Sequence, residues 1–202
     1  MKNVLIIGAL VLIFIIGFFG FTRVTDRAVQ NEHIPTGEVV LETHEDTEVG
    51  FSFQYRTEPD GYTLLELPRD SYTDPAFVKL YTLAPTREYE NFIQDTEASE
   101  GPPSIGIAVF ENTQKQSASV WVDAHPSLSN MGLVTGDVAR DEVVGGANAV
   151  RYTIDGLYRN DTVAIAHGGY IFLLSGAYLE EGSRIHEDFK TLVTSVTFIQ
   201  QQ

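Results

Sequence analysis

Residues 161–177 read DTVAIAHGGYIFLLSGA, and this stretch decides which kind of fold the chain forms. Two runs rich in Val, Ile, Leu and Phe are separated only by Gly168 and Gly169. Runs of this length and composition are typical of buried β-strands, and adjacent glycines accept the positive φ angles of a tight hairpin turn. The sequence therefore predicts two antiparallel strands, at residues 161–167 and 170–177, joined by that turn.

The same pattern continues on both sides of this hairpin. Short runs rich in Val, Ile, Tyr, Phe and Thr alternate with turn signals such as Pro59-Asp60-Gly61, Gly145-Gly146 and Asp155-Gly156. These runs predict further strands at residues 38–43, 50–55, 62–67, 77–83, 104–111, 138–143 and 148–155, and a short final strand at 197–199.

Two other segments have helical features. Ser183 is a plausible N-cap, and the apolar residues after it recur at the spacing of one helix face: Ile185, Phe189, Leu192, Val193 and Val196. Residues 117–125, which include Trp121, predict a shorter helix that ends before Pro126. Strands with a few helices that do not alternate strictly with them indicate an α+β fold, in which a largely antiparallel sheet is flanked by helices. We expect the core between the sheet and the last helix.

The order of these elements resembles the PsbP-like family of α/β/α sandwiches, over about residues 38–200. An aromatic strand at residues 50–55 runs into the turn Pro59-Asp60-Gly61-Tyr62, as at the start of that fold. The later landmarks follow in order: Pro103 to Ile107 as a central strand, Trp121 in a connecting helix, Gly145 to Ala149 turning into a strand, and Phe189 to Phe198 as the closing helix and strand.

The resemblance implies an antiparallel sheet flanked by helices and a role without catalysis. Family members are mostly described as photosystem extrinsic subunits, a small-GTPase binding factor, and bacterial membrane-associated or secreted proteins. No functional residue is carried over, because the metal-binding and docking positions of the photosystem members have no recognisable counterpart motif in this sequence.

The N-terminal segment predicts a membrane anchor. Residues 4–21 form an uninterrupted apolar run of 18 residues, which as a helix spans roughly 27 Å, close to the hydrocarbon thickness of a bilayer. A cleaved signal peptide is the alternative, but bulky Phe18, Phe19 and Phe21 stand where a signal peptidase requires small residues.

These features divide the chain into three parts. We expect a transmembrane signal anchor at residues 1–23, a polar stalk at 24–36, and a single α+β globular domain at 37–202. Lys2 lies ahead of the apolar run and most of the acidic charge lies behind it. The predicted arrangement is therefore a single-pass protein of the cell membrane with an extracytoplasmic C-terminal domain.

Composition excludes several classes of function. The chain has no cysteine, which removes disulfides, thiolate metal sites, cysteine nucleophiles and a lipoprotein anchor. Its 28 acidic residues against 13 Lys and Arg give a net charge of −15. A field of this sign repels nucleic acid, so no nucleic-acid partner is expected.

No metal or catalytic constellation stands out by spacing. The five histidines, His33, His44, His125, His167 and His186, are far apart in sequence and form no metal-binding motif. The densest acidic group is His44-Glu45-Asp46-Thr47-Glu48, which offers oxygen ligands to a hard cation but is more typical of a solvated loop.

Enzyme motifs are equally unsupported. Leu174-Ser175-Gly176 lacks the first glycine of a nucleophile elbow, and Gly145-Gly146 lacks the third glycine of a dinucleotide turn. The acid pairs Asp155 with Asp161, and Asp141 with Glu142, resemble ordinary surface acids. We therefore assign no catalytic, cofactor-binding or metal-binding residue and expect no cofactor.

The leading hypothesis from sequence is a membrane-tethered, non-enzymatic binding or assembly module that contacts a protein partner at the outer face of the membrane. Most of the abundant tyrosines, and Trp121, should lie in the core or be half-buried, and an exposed subset of these aromatic residues is a candidate patch for that partner. The alternative is a domain that binds a small ligand or a divalent cation in a pocket between the sheet and its helices. An enzyme with a convergent Asp/His site is the third hypothesis.

Overall fold

The computed structural model describes residues 38–95 and 101–199. The predicted membrane segment and stalk lie outside these ranges, and no helix within them is long and apolar enough to cross a membrane. The described residues form ten strands. Their bounds are β1 Val40–Asp46, β2 Phe51–Glu58, β3 Tyr62–Pro68, β4 Phe77–Pro85, β5 Ile105–Glu111, β6 Ala139–Val144, β7 Ala147–Asp155, β8 Arg159–His167, β9 Tyr170–Tyr178 and β10 Thr197–Phe198.

All the strands predicted from the sequence are confirmed, with shifts of a few residues at their ends. The same ranges contain four α-helices: α1 Thr86–Gln94, α2 Ala118–Ala124, α3 Pro126–Ser129 and α4 Arg184–Ser195. Two 3₁₀ turns, Arg69–Ser71 and Met131–Leu133, complete them. The helices predicted around Trp121 and after Ser183 are confirmed as α2 and α4. Helix α1 was not predicted from the sequence.

The strands belong to two sheets, and every pairing between named strands is antiparallel. The large sheet has seven strands in the order β3-β4-β5-β9-β8-β7-β6, and the small sheet has three in the order β1-β2-β10. Gly168 and Gly169 adopt φ of +59° and +86° between β8 and β9, as the predicted two-residue hairpin requires. The prediction of an antiparallel sheet flanked by helices is confirmed, and its division into two sheets is an addition from the structure.

One side of the large sheet, which we call the packed face, is closed by the small sheet and α4. It carries every second residue of the central strands, among them Tyr81, Ile107 and Leu174, and these join Phe51, Phe53 and Phe189 in one buried cluster. Phe189 of α4 lies directly over Gly176 of β9, where a Cβ atom would come within 2.5 Å of the phenyl ring. Glycine at this position therefore lets the helix approach the sheet.

The other side of the large sheet, which we call the open face, is covered by α2 and α3 over part of its width. Trp121 and Val122 of α2 pack there against Phe110, Tyr152 and their neighbours in a second buried cluster. Ser117 caps α2 by accepting a hydrogen bond from the Val120 amide at 3.3 Å. Two cores, one on each face, replace the single core that we expected between the sheet and the last helix.

The predicted cap of α4 is correct in position but not in chemistry. Ser183 is the N-cap residue, yet its side chain makes no capping hydrogen bond. Its hydroxyl oxygen is buried without a hydrogen-bonding partner among the described residues. Packing of Phe189, Leu192 and Val193 against the packed face therefore holds this helix in place without help from the Ser183 hydroxyl.

Candidate functional site

A buried ionic cluster joins the small sheet to β4. Asp46, at the end of β1, is only 8 % exposed, and its carboxylate accepts hydrogen bonds from Lys79 Nζ at 2.5 Å and from the Tyr81 hydroxyl. The Glu48 amide donates to the same carboxylate at 2.8 Å. Lys79 Nζ also lies 3.3 Å from Glu48 and 3.1 Å from Glu66. One ammonium group thus lies among three carboxylates.

The protonation states in this cluster follow from its contacts. Burial by itself raises the pKa of Asp46, but hydrogen bonds from Lys79, Tyr81 and the Glu48 amide bring that pKa below its usual value. Burial and the neighbouring Asp46 raise the pKa of Tyr81, which keeps its hydroxyl protonated as a donor. Of the carboxylates that the sequence offered to a hard cation, Asp46 and Glu48 therefore already contact Lys79. Among the described residues, no group of three or more His, Asp or Glu is placed to hold a metal ion.

A second polar network surrounds Asp161 of β8. His186 Nε2 lies 3.0 Å from the Asp161 carboxylate, which also accepts from the Tyr178 hydroxyl at 3.1 Å and from Thr153 Oγ1 at 2.9 Å. His186 Nδ1 accepts from the Gly182 amide at 3.0 Å, so the proton belongs on Nε2. Both ring nitrogens of His186 thus make hydrogen bonds within the chain. The structure assigns Asp161 a structural role and does not pair it with Asp155.

A third network fastens α4 to the strands. Arg56 of β2 donates to Asp188 of α4 through Nη2 at 2.7 Å and Nε at 3.2 Å, in a bidentate arrangement. The Tyr62 hydroxyl of β3 donates to the same carboxylate at 3.0 Å. Because these three residues come from the small sheet, the large sheet and α4, the network ties the layers of the packed face together.

The remaining residues singled out in the sequence are dispersed. Glu142 is held by Arg151 on the neighbouring strand β7 and not by Asp141. His125 stacks on Trp121, and His167 stacks on Phe198. The His44 ring packs against Phe53 and Tyr81, and its buried Nε2 has no hydrogen-bonding partner among the described residues. His33 lies outside those residues.

The open face carries a groove where the cover of α2 and α3 ends. Its floor is made of two rows of side chains that run across neighbouring strands. One row is apolar, with Leu80, Ala108 and Leu173 paired across β4, β5 and β9. The adjacent row carries hydroxyl groups on either side of a glycine, in the order Thr82, Gly106, Ser175 and Thr162.

The depth of the groove comes from β5. Gly106 and Ala108 give this strand little bulk on the open face, whereas its neighbours carry larger side chains. Tyr72 and Leu128 are also among the residues that line the groove. The Thr162 and Ser175 hydroxyls lie 3.3 Å apart at one end. The cavity has a volume of about 50 Å³, far below the roughly 300 Å³ of an ordinary small-molecule pocket.

A different surface lies at the start of β1. Within residues 38–95 and 101–199, β1 pairs only with β2, so its other edge is open. Three consecutive apolar residues here, Val39, Val40 and Leu41, are 48 %, 47 % and 44 % exposed. Val39 precedes the strand, and the pairing with β2 shifts register between Val40 and Leu41. We call these three residues the apolar end of β1.

Sequence reasoning missed both the groove and the role of Lys79. The alternation of large and small residues in Ile105-Gly106-Ile107-Ala108 was the available signal, since it leaves one face of a strand without bulk. The expectation that most tyrosines are buried or half-buried is confirmed: Tyr62, Tyr81, Tyr152 and Tyr178 are buried, and the other five are half-buried. The expected patch of exposed tyrosines is wrong, because none of the nine tyrosines is exposed, and Trp121 is buried as well.

Comparison with known proteins gives structural neighbours without sequence relatives. No protein-family model matches the chain, and no curated protein matches it. A solution structure of cyanobacterial PsbP from Synechocystis sp. PCC 6803 is similar at 14 % identity and a TM-score of 0.47, over 81 % of this chain and 95 % of that one. The structural neighbours thus include a PsbP protein, from the family that the sequence resembles.

A crystal structure of a protein from Bacteroides thetaiotaomicron is similar at 9 % identity and a TM-score of 0.46, over 79 % of this chain. The chain spans about half the length of that Bacteroides protein, since 48 % of it is covered.

Proposed function

We propose that the chain is a membrane-tethered, non-enzymatic binding or assembly module that contacts a protein partner. The observation that carries the proposal is the apolar end of β1, on a strand with one open edge. Open edges present unpaired backbone groups to other chains, and proteins commonly recognise a partner by adding its strand there. Exposed Val and Leu beside such an edge favour a partner strand with apolar side chains.

The position of this end along the chain supports the proposal. It follows the predicted stalk at residues 24–36, which in turn follows the apolar run at 4–21. If that run is an uncleaved anchor, the apolar end of β1 is the part of the domain nearest the tether. We accordingly propose a single-pass protein of the cell membrane, with an extracytoplasmic domain whose partner lies at the outer face of the same membrane.

The interior polar groups favour binding over catalysis. Asp46, Asp161 and Asp188 each accept hydrogen bonds from two or more residues of the chain, and His186 uses both ring nitrogens. Hydrogen bonds within the chain therefore account for the burial of these groups without a substrate. Turnover by the protein on a panel of hydrolase and transferase substrates, lost on changing one carboxylate or histidine, would overturn this part of the proposal.

Site-specific photocrosslinking in membranes tests the partner surface. A benzophenone amino acid replaces Leu41 in one variant and Leu179 in a matched control. Leu179 is 73 % exposed and directly follows β9, outside the apolar end of β1. We expect one discrete protein adduct from position 41 and none from position 179, although exposure alone favours position 179. The adduct should disappear when Val39 and Val40 are both changed to Glu.

Two outcomes contradict the proposal. Equal adducts from both positions would mean that crosslinking follows exposure, and no adduct from position 41 would mean that no partner lies there. The tether is tested separately by N-terminal sequencing of the membrane-extracted protein, and a mature start near residue 22 would remove the anchor.

The alternative function is binding of a small ligand or of a divalent cation, and the structure bears differently on these two hypotheses. The cation reading loses its best candidate, because Lys79 already lies among Asp46, Glu48 and Glu66. The small-ligand reading keeps a specific observation in its favour, the groove on the open face.

A further inference from the structure

The open edge of β1 has two halves of different chemistry. The first half is the apolar end, from Val39 to Leu41, and the second half carries Glu42 and Glu45, which are both exposed. Residues 38–48 contain five carboxylates and no Lys or Arg. A strand added along this edge would therefore contact apolar side chains at one end and carboxylates at the other.

The two exposed carboxylates lack a counter-charge within the chain. In the part of the chain that the structure describes, no ion pair includes Glu42 or Glu45. The residue opposite Glu42 on β2 is Tyr55, whose hydroxyl is neutral. By contrast, Asp46 at the end of the same strand is buried and pairs with Lys79. The fold thus neutralises the buried carboxylate and leaves the two exposed ones without a cation.

These charges decide which kind of strand fits the edge. Pairing with a second copy of β1 would bring Glu42 and Glu45 of one copy near those of the other, and like charges across a strand pair are destabilising. Each copy also has a net charge of −15, so two copies repel each other before contact. A strand with Lys or Arg at the facing positions gains an opposite-charge pair at each of them. Charge complementarity therefore favours a basic strand over a second copy.

The spacing of the carboxylates sets the spacing of the basic residues in such a strand. Directly opposite residues of two paired strands point to the same face of the sheet. Glu42 and Glu45 are three residues apart, so the matching strand has two basic residues three positions apart. All pairings between named strands of this fold are antiparallel, and antiparallel pairs are the more common kind. In an antiparallel strand, the basic residues precede the apolar ones.

We propose that the open edge of β1 binds a basic and apolar segment of the partner protein as an antiparallel strand. Two Lys or Arg residues, three positions apart, pair with Glu45 and Glu42, and the apolar residues that follow them cover Leu41 and Val40. This inference rests on the proposed function, because it names the chemistry of the partner strand at the same edge.

Binding of synthetic peptides to the full chain in uncharged detergent micelles tests this chemistry. The probe is the fluorescently labelled peptide Thr-Lys-Thr-Thr-Lys-Val-Val-Ile, whose two Lys residues lie opposite Glu45 and Glu42 in the proposed register. We expect it to bind at least about tenfold more tightly than the peptide with Glu in place of both Lys, and than the same residues in reverse order. Equal or tighter binding of the reversed peptide would overturn the proposal, because general attraction to an acidic protein does not depend on residue order. Failure of the probe to bind would overturn it as well.

Paired variants locate the contacts. Changing Glu42 and Glu45 together to Gln should weaken binding of the Lys peptide about tenfold. Changing the exposed Glu88 and Glu90 of α1 to Gln removes the same charge elsewhere and should leave the affinity within about twofold. Changing Glu42 and Glu45 to Lys should reverse the preference to the Glu peptide, although the chain stays net acidic. Equal weakening by the α1 control, or no reversal of the preference, would mean that the peptide does not pair with β1.

Photocrosslinking in membranes distinguishes failure of this inference from failure of the proposed function. The benzophenone at position 41 is combined with Glu42→Gln and Glu45→Gln, and we expect a strongly reduced adduct. An undiminished adduct would mean that a partner is bound there without these charges, which overturns the basic segment and leaves the proposed function standing. Absence of the adduct even with both carboxylates present would overturn the proposed function and this inference with it.

Discussion

The two faces of the large sheet are built from the same seven strands and are covered to different degrees. On the packed face, Phe51 of the small sheet stacks on Phe172 at 4.7 Å, and Phe189 of α4 closes over Gly176. On the open face, Gly106 and Ala108 leave a groove beside α3. The difference teaches how alternation along a single strand, β5, distinguishes the two faces: Ile105 and Ile107 pack on one face, and Gly106 and Ala108 leave a groove on the other.

The largest expected effect is a loss of packing on the packed face. Phe189 is fully buried, so Phe189→Ala should lower the free energy of unfolding by about 3–5 kcal/mol. Leu128→Ala, at the partly exposed wall of the groove, should cost about 1 kcal/mol. Urea unfolding of both variants measures the contrast. Similar costs at the two positions would mean that the faces do not differ in the way the structure indicates.

The second effect concerns the ionic cluster at the seam between the sheets. Lys79→Met leaves Asp46 buried without its ammonium partner, and we expect a loss of about 2–3 kcal/mol in unfolding free energy. Lys190→Met removes an exposed pair with Glu187 and should cost less than about 0.5 kcal/mol.

The effect of calcium on Tm is a second test of this cluster. Millimolar calcium should leave the Tm of the parent protein unchanged, because Lys79 lies among the three carboxylates, and should partly restore the Tm of Lys79→Met. A rise in the Tm of the parent protein with calcium would favour the hypothesis that the chain binds a divalent cation.

The smallest effect is a pH dependence from the same cluster. The folded pKa of Asp46 lies below its unfolded value of about 3.9, so its contribution to stability is fully present above that value and is lost as pH falls through the folded pKa. We therefore measure Tm by thermal unfolding between pH 6 and pH 2.5. Below pH 4, Tm should fall more steeply in the parent protein than in Asp46→Asn. Parallel curves would show that the Asp46 carboxylate is not held by its neighbours.

The elements that local pattern determines were predictable. Residues 161–177 specify a hairpin because alternation, apolar content and two turn glycines agree, and the apolar stripe from Ile185 to Val196 specifies α4 in the same way. Helix α1 was missed although Tyr89, Phe92 and Ile93 stand at the i, i+3 and i+4 spacing of one helix face, because the apolar pattern covers only about one turn of a nine-residue helix.

The site depends on contacts that no local pattern encodes. Asp46 meets Lys79 across two different sheets, and the pairing of β10 with β2 decides which strands belong to the small sheet. Tyr72 and Leu128 both line the groove, although they belong to segments far apart in sequence. Residue types alone suggested a loop of free acids at residues 44–48, whereas the fold supplies its counter-ion.

The closing strand has a consequence for biosynthesis. The Gln54 amide donates to Ser195 Oγ, a residue 141 positions later, and Thr197 pairs with Ser52. A ribosome therefore delivers β2 long before it delivers α4 and β10, which cover it. During that interval the aromatic side chains of β2 lack their final cover, and such late, long-range closure is slow. The interval in which these aromatic side chains stay exposed therefore lasts until residue 198 has left the ribosome, and association of the chain through them is the hazard of that interval.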